Sequence, residues 1–492
     1  MIEKLMLEDT ARRKLTLFKL LTKLSESHHS IKFFETRTDY SYSRVVYLLD
    51  LIQQDLTKII GKKVELIQVD GVHYKPTISY DMYYQYLIRQ SIPCQLLVSI
   101  VYSPEDDLDA FCEKNFHSRT TVVRKSKPLS DYLKTFAIKM NTSQLKLYGD
   151  ERVIRMTLYA LIWLATHGAK LPQIKNPSMD YKEIIDIVSP YFPDSYSYAA
   201  NKQITLFLDI VYLRAKTGYQ LTEKTDIDPY IPAHTGYSNS FFKSIIQENK
   251  ILEAETQFAA FLLISAPNFF RNNDYRLSLL KIYLESHVNP ATKILEEVCT
   301  VFSDEFMPDR FLWENEPILF GNVANIIFTA AIIQKPFPSL FHLINHSLYA
   351  KNEYYYQLFK RFKTLFQKIS KRKNCGWLKD SIHPLSDMLA SLLVPIYASF
   401  QENNVLRVAL IAESNYLLVQ PLAQFIEQLP FVQLIAYEHD NFSSFDFIVA
   451  TSAYLIPEES PLPSFIFRFS ADNDEQYIDL YQAIKKIHNQ KE

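Results

Sequence analysis

Apolar residues recur along the first third of the chain with a helical period, and they do so twice. In SRTTVVRKSKPLSDYL, Val122, Leu129 and Leu133 fall at i, i+7 and i+11, one stripe of a 3.6-residue period. Ser118 stands where a helix cap belongs, because its hydroxyl can accept from an otherwise unpaired backbone N–H. At about 100° per residue, Thr120, Arg124 and Lys127 lie on the opposite face, with Arg119 in the first turn. The same grammar appears 77 residues upstream in SYSRVVYLLDLIQQDL. There Ser41 is the expected cap, and Val45, Leu49, Ile52 and Leu56 take the offsets later held by Val122, Ser126, Leu129 and Leu133. Ahead of the caps, Ile31 and Phe34 match Leu108 and Phe111; further back, Leu17, Leu20, Leu21 and Leu24 match Cys94, Leu97, Val98 and Val101. Each copy reads as helix, short helix, tight turn and longer helix, the helix-turn-helix plan. Extended runs broken at glycine follow, VELIQVDG to Gly71 and QLKLYGDE around Gly149. Asp-Gly between extended segments favours a hairpin, so a β wing is expected after each copy.

Residues 8–25 read as the first helix, with Glu8 and Asp9 at its positive end. Pro128 forfeits a backbone bond inside the second long helix, which predicts a bend or a reading portion mainly over Arg119–Lys127. ERVIRMTLYALIWLATHG predicts a helix packed on wing and body. Residues 170–400 are almost entirely helical in pattern, interrupted near HVNPAT at 287–292, so two bundles are expected. The last ninety residues change period: VLRVALIA, VQLIAYE, DFIVATS and FIFRFS are nearly continuous apolar runs. They alternate with the helical YLLVQPLAQFIEQL and close on EQYIDLYQAIKKIH, which predicts a small parallel α/β domain. The chain is therefore expected to be mainly α and multidomain, divided at 1–78, 79–168, 169–286, 287–402 and 403–492.

Charge sharpens the picture. The formal net charge is -2, yet residues 1–167 hold 24 Lys+Arg against 19 Asp+Glu, and the remainder 29 against 36. Ser118 to Lys127 contains four basic residues and no acidic one. A helix with a buried stripe and a basic, Thr-bearing outer face suits the major groove. The first long helix turns out Ser43, Tyr47 and Asp50 with Arg44 beside them, a less basic face. The second copy is thus expected to read bases and the first to add phosphate contacts. The DNA-contact candidates are Ser43, Arg44, Tyr47, Lys75, Arg119, Thr120, Arg124, Lys125 and Lys127, with Lys62, Lys63 and His73 also flanking the first wing. Only 8 glycines occur, and neither GxGxxG nor GxxxxGK is present. Cys94, Cys112, Cys299 and Cys375 are scattered with no CxxC pair, which argues against a disulfide framework or structural zinc and fits a reducing cytoplasm. The charged N-terminus is unlike a signal peptide, and no window approaches the roughly 20 apolar residues of a membrane span. A soluble, cytoplasmic protein without cofactor or metal is expected. His342 and His346 have the i, i+4 spacing of metal ligands but no apparent third partner.

Tandem winged helix-turn-helix modules, two helical bundles and a small α/β tail, in this order, resemble the Mga/AtxA-type virulence regulators of Gram-positive bacteria. SYSRVVYLLDLIQQDL, SRTTVVRKSKPLSDYL and the LYGDERVIR run carry the resemblance, and the architecture spans essentially the whole chain. It implies a transcription regulator, usually an activator, acting on double-stranded promoter DNA. The bundles would be similar to phosphotransferase-system regulation domains (PRD-like), phosphorylated on histidine by phosphocarrier proteins, with His234, His342 and His383 as candidates. His383 precedes a helix, where a phosphoryl group would meet a natural anion site. The tail would resemble the EIIB component of a sugar phosphotransferase, used for homodimerisation. It departs from an active EIIB: the segment after its first strand is AESNYLL, and neither cysteine nor glycine occurs from Val405 onward. A phosphoryl nucleophile is missing, so assembly rather than enzymatic transfer is expected. Two rival readings are an RNA-binding antiterminator with PRD-like bundles, which would begin with a small RNA-binding domain, and a phosphotransfer protein, which would need that cysteine.

Overall fold

The computed structural model describes residues 2–23, 29–68, 71–74, 78–169, 198–222, 240–265, 269, 271–307, 315–338, 343, 352–401, 405–412, 415–429, 431–437, 442–457, 459–469 and 473–491. The chain divides into two compact units, Met1–Val394 and Pro395–Glu492. Among the described residues no helix is long and apolar enough to cross a membrane.

The larger unit begins with α1 (Ile2–Met6), α2 (Asp9–Leu21), α3 (Ile31–Arg37), α4 (Tyr42–Ile60) and the strands β1 (Ile67–Gln68) and β2 (Gly71–Val72). It continues with α5 (Tyr80–Arg89), α6 (Ile92–Tyr102), α7 (Leu108–Asn115), α8 (Arg119–Lys134), β3 (Lys139–Asn141), β4 (Lys146–Tyr148) and α9 (Glu151–Thr166). A shift of 77 residues carries the first residue of α3 onto that of α7 and the first of α4 onto that of α8. Both apolar stripes face inward: Val45, Leu49, Ile52 and Leu56 are buried, as are Val122, Ser126, Leu129 and Leu133, and Phe34 and Phe111 fill equivalent places. Two helix-turn-helix modules of one design result.

Local chemistry differs from the sequence expectation at three points. The first helical pattern is two helices, α1 and α2, rather than one over 8–25; α1 buries Ile2, Leu5 and Met6 and packs against α6, α8 and α9. Ser41 occupies the cap position of α4 but makes no capping bond; the Tyr42 N–H donates instead to Glu35 Oε1 at 2.9 Å. Ser118 does cap α8, accepting from Thr121 N at 3.3 Å. Pro128 stands inside α8, which runs through it to Lys134. Each module carries an antiparallel wing, β1 with β2 and β3 with β4. In the second, Asn141 faces Lys146, so the turn falls ahead of Gly149 and not at it. Gly71 is needed at its place: its φ is +142°, and a Cβ there would lie 2.8 Å from the His29 carbonyl oxygen, which accepts from Val72.

Beyond α9 the larger unit is helical, with Tyr198–Lys216, Asn249–Ser265 and Tyr275–Ser286 before residue 287, and Pro290–Phe306, Pro317–Ile333, Glu353–Ile369 and the first part of Ile382–Gln401, to Val394, after it. The interruption read at HVNPAT is a sharp helix start: Asn289 accepts from Ala291 N and Thr292 N while Thr292 Oγ1 accepts from Asn289 N, a reciprocal cap. The expected helix KEIIDIVSPYF, and LFHLINHSLYA apart from Leu343, lie outside the described residues.

In the smaller unit, β5 (Leu406–Ile411), β6 (Val432–Ala436), β7 (Phe447–Ala450) and β8 (Ser464–Ile466) form one sheet in the order β6-β5-β7-β8, every pair parallel. Apolar residues fill both faces, Val408, Phe447 and Val449 on one and Ala409, Ile448 and Ala450 on the other, which accounts for the unbroken apolar runs. Asp446 ties the start of β7 to β5, accepting from Arg407 N at 2.8 Å.

Candidate nucleic-acid interface

The cap on α8 and the stripe beneath it determine what the helix turns outward. Thr120, Arg124 and Lys127 are exposed along one side, as expected, and no ion pair engages Arg124 or Lys127 among the described residues. Arg119 is exposed too but reaches back from the first turn to Asp109 at 2.7 Å. Lys125 is only half-exposed and is ion-paired with Glu8, just beyond α1, which turns it toward the protein. Beside the cations stands Val123, 50 % exposed, and in the turn ahead of the cap Phe116 is 94 % exposed. At His117, burial, reinforced by Lys125, disfavours the imidazolium and holds it below the ordinary histidine range. The following wing offers exposed Lys139 and half-exposed Lys146, with the Tyr148 hydroxyl donating to Gln144 Oε1 at 2.8 Å.

The first module presents a different face. Ser43 is exposed, Arg44 is half-buried with its guanidinium 5.3 Å from the centre of the Tyr47 ring, and Tyr47 is half in solvent. Asp50 is exposed and accepts from Gln54 Nε2 at 2.8 Å. Lys62 and Lys63 are exposed, the latter 2.5 Å from Glu65; His73 is half-buried. Lys75, His234 and His342 lie outside the described residues. His383 is exposed in the first turn of Ile382–Gln401, its ring edge-on to Phe359 at 5.1 Å.

Two buried polar networks position these faces, and neither was singled out in the sequence. Behind α4, Asp55 receives Lys14 at 2.5 Å and the Tyr83 hydroxyl at 2.8 Å, joining α2, α4 and α5. Asp55 sits on the apolar stripe, and an acid there is the signal that could have found it. At α9, Arg155 is fully buried, donating to Glu255, to Glu151 at 3.0 Å and to the Tyr219 carbonyl at 2.7 Å, while Arg214 also binds Glu151 at 2.6 Å. Arg152 chelates Asp150 and donates to the Ile332 carbonyl at 3.3 Å, and Lys335 approaches Asp150 at 3.2 Å. Burial alone would raise the Asp150 carboxyl, but Arg152 and Lys335 outweigh it and bring it down to about 2. The run GDERVIR thus bolts the second wing to helices on both sides of residue 287.

The four cysteines are free, and burial pushes the thiols of Cys94 and Cys299 up to about 12, far from a reactive thiolate. Among the described residues no group of three His, Cys, Asp or Glu side chains could hold a metal ion. A comparison with curated proteins finds no match. Residues 76–162, which take in α5 to α8, the second wing and most of α9, match the Mga helix-turn-helix domain. The second module is similar to that domain over the stretch whose outward face is basic, and the match suggests a DNA-binding transcription regulator.

Proposed function

We propose that the chain regulates transcription in the cytoplasm by binding double-stranded promoter DNA, with α8 as the principal reading helix. The observation that carries this reading is the pairing of Arg124 and Lys127, exposed and without ion-pair partners among the described residues, with a capped helix ahead of a wing. Cations in that state release condensed counterions when they meet phosphates, which supplies affinity, and Arg adds bidentate recognition of guanine. Thr120 and Arg119 stand at the end of α8 that would enter the groove first. Ser43, Arg44, Tyr47 and Lys75 of the first module add contacts to the backbone. Lys125 contributes only if its pair with Glu8 opens.

The bundles on either side of residue 287 act as PRD-like domains, where phosphorylation by phosphocarrier proteins couples sugar transport to activation. His383 is the histidine best supported, being exposed in the first turn of a helix. The tail acts as an EIIB-like assembly domain for a homodimer: its sheet is parallel, and it carries no cysteine nucleophile.

Fluorescence anisotropy of the full chain with duplex DNA and with single-stranded RNA, titrated against salt, tests the central claim. Duplex binding that weakens with salt is expected, and Arg124→Ala should cost about 1–3 kcal/mol on a selected site. Preference for RNA, or unchanged duplex binding by Arg124→Ala, defeats the proposal. Phosphocarrier-dependent labelling lost in His383→Ala, and a solution mass twice that of the chain, test the regulatory and assembly parts.

A further inference from the structure

We infer that the second module reads the 5-methyl groups of thymine in the major groove, through Val123 on α8 and Phe116 in the turn ahead of it. This rests on duplex binding by α8 as proposed above. Both side chains are apolar and turned to solvent. Val123 belongs to the outward face, three residues after Thr120, one before Arg124 and four before Lys127. A groove that receives the two cations therefore also meets the valine methyls.

Phe116 is held out by its backbone. Its φ is +55°, in the left-handed region that a residue with a Cβ adopts at a cost. The N–H of His117 donates to the Cys112 carbonyl at 3.0 Å, so the turn is closed by its own hydrogen bonds and not by packing of the ring. A left-handed residue is the ordinary close of a helix, so the end of α7 and not a packing partner sets where the ring stands.

In the first module the same positions are polar or covered. Asp39 stands 77 residues before Phe116, and Val46, the counterpart of Val123, is half-buried. At these two positions apolar exposure therefore belongs to the second module, while the first module exposes Tyr42 and Tyr47 elsewhere on α4. Of the groups displayed in the major groove, only the thymine methyl is matched by an apolar side chain. Two such residues among cations make too small a patch for a protein or lipid surface.

A random-sequence duplex pool is selected on the full chain, and a recovered duplex is resynthesised with deoxyuridine for thymidine, throughout and one position at a time. Deoxyuridine removes the methyl and keeps every hydrogen-bonding group. The unsubstituted protein should lose about fourfold in affinity for each contacted methyl. Val123→Ala and Phe116→Ala should each bind the thymidine duplex more weakly and each become blind to deoxyuridine at one position. Val123→Thr, which keeps a methyl, should retain part of the discrimination. Melting curves of the variants confirm that they fold. Equal affinity of the unsubstituted chain for both duplexes overturns the inference, as does discrimination that survives both alanine substitutions. Failure to recover any duplex with salt-dependent affinity instead removes DNA binding itself.

Discussion

Shifted by 77 residues, Ser43, Val46, Tyr47 and Asp50 of α4 become Thr120, Val123, Arg124 and Lys127 of α8. Beneath them the stripes coincide, with Val45, Ile52 and Leu56 buried as Val122, Leu129 and Leu133 are. One helix turns an aromatic and an acid to solvent; the other turns two cations. The inner stripe is held by close packing, where a change of one methylene is felt. An outward residue contributes little to stability, so the two faces are free to differ. Shared architecture therefore does not confer shared reading. The modules also differ in support. The first is braced by Lys14 and Asp55 and joined through Tyr83 to α5 of the second, whereas the second is fastened through α9 to Arg214, Glu255 and the carbonyl of Ile332.

The difference in support gives the largest expected effects. Glu255→Ala leaves the fully buried Arg155 without its main partner and should cost about 3–5 kcal/mol in denaturant unfolding. A loss under about 1 kcal/mol would show that α9 is not anchored this way. Asp55→Ala strands Lys14 in the other brace and should act mainly on the first module, leaving the selectivity of α8 for its duplex in place. Loss of that selectivity would mean that the modules fold as one.

Exchanging the faces tests the reading directly. Giving α8 the first module's residues, Thr120→Ser with Arg124→Tyr and Lys127→Asp, should weaken duplex binding by about 3 kcal/mol in a salt-matched titration. The reverse exchange, Tyr47→Arg with Asp50→Lys, should raise affinity for any duplex and steepen the salt slope by about two. If the two exchanges have equal and small effects, neither face reads DNA.

Two smaller effects refine the comparison. Because Asp150 is held at about 2, below the ordinary carboxylate value near 4, its contribution is fully present above that ordinary value. It is lost as pH falls from about 4 toward 2, so the acid limb of the unfolding profile should flatten in Asp150→Asn. An unchanged limb would place the acid sensitivity elsewhere. Phe116→Gly relieves a positive φ and should stabilise the chain by up to about 1 kcal/mol. Asp39, which has no positive φ, should gain nothing from the same change in a parallel melting experiment.

The sequence by itself determined the duplicated module, the residues of each buried stripe, the outward cations of α8 and the four parallel strands of the tail. The stripes and the outward cations rest on the period of the backbone, which alone decides which side chains share a face; the duplication rests on their recurrence at 77 residues and the strands on unbroken apolar runs. Even the cap at Ser118 is of this kind, since its partner lies three residues on. Only the tertiary structure decided the rest. A five-residue helix is too short to show a period, so the seating of α1 against α8, and with it the turning of Lys125 toward Glu8, could not be read. Lys14 and Asp55 are 41 residues apart, and Arg155 and Glu255 are 100 apart. Nothing local links such pairs; each ion is tolerable in the interior only because the fold delivers its partner.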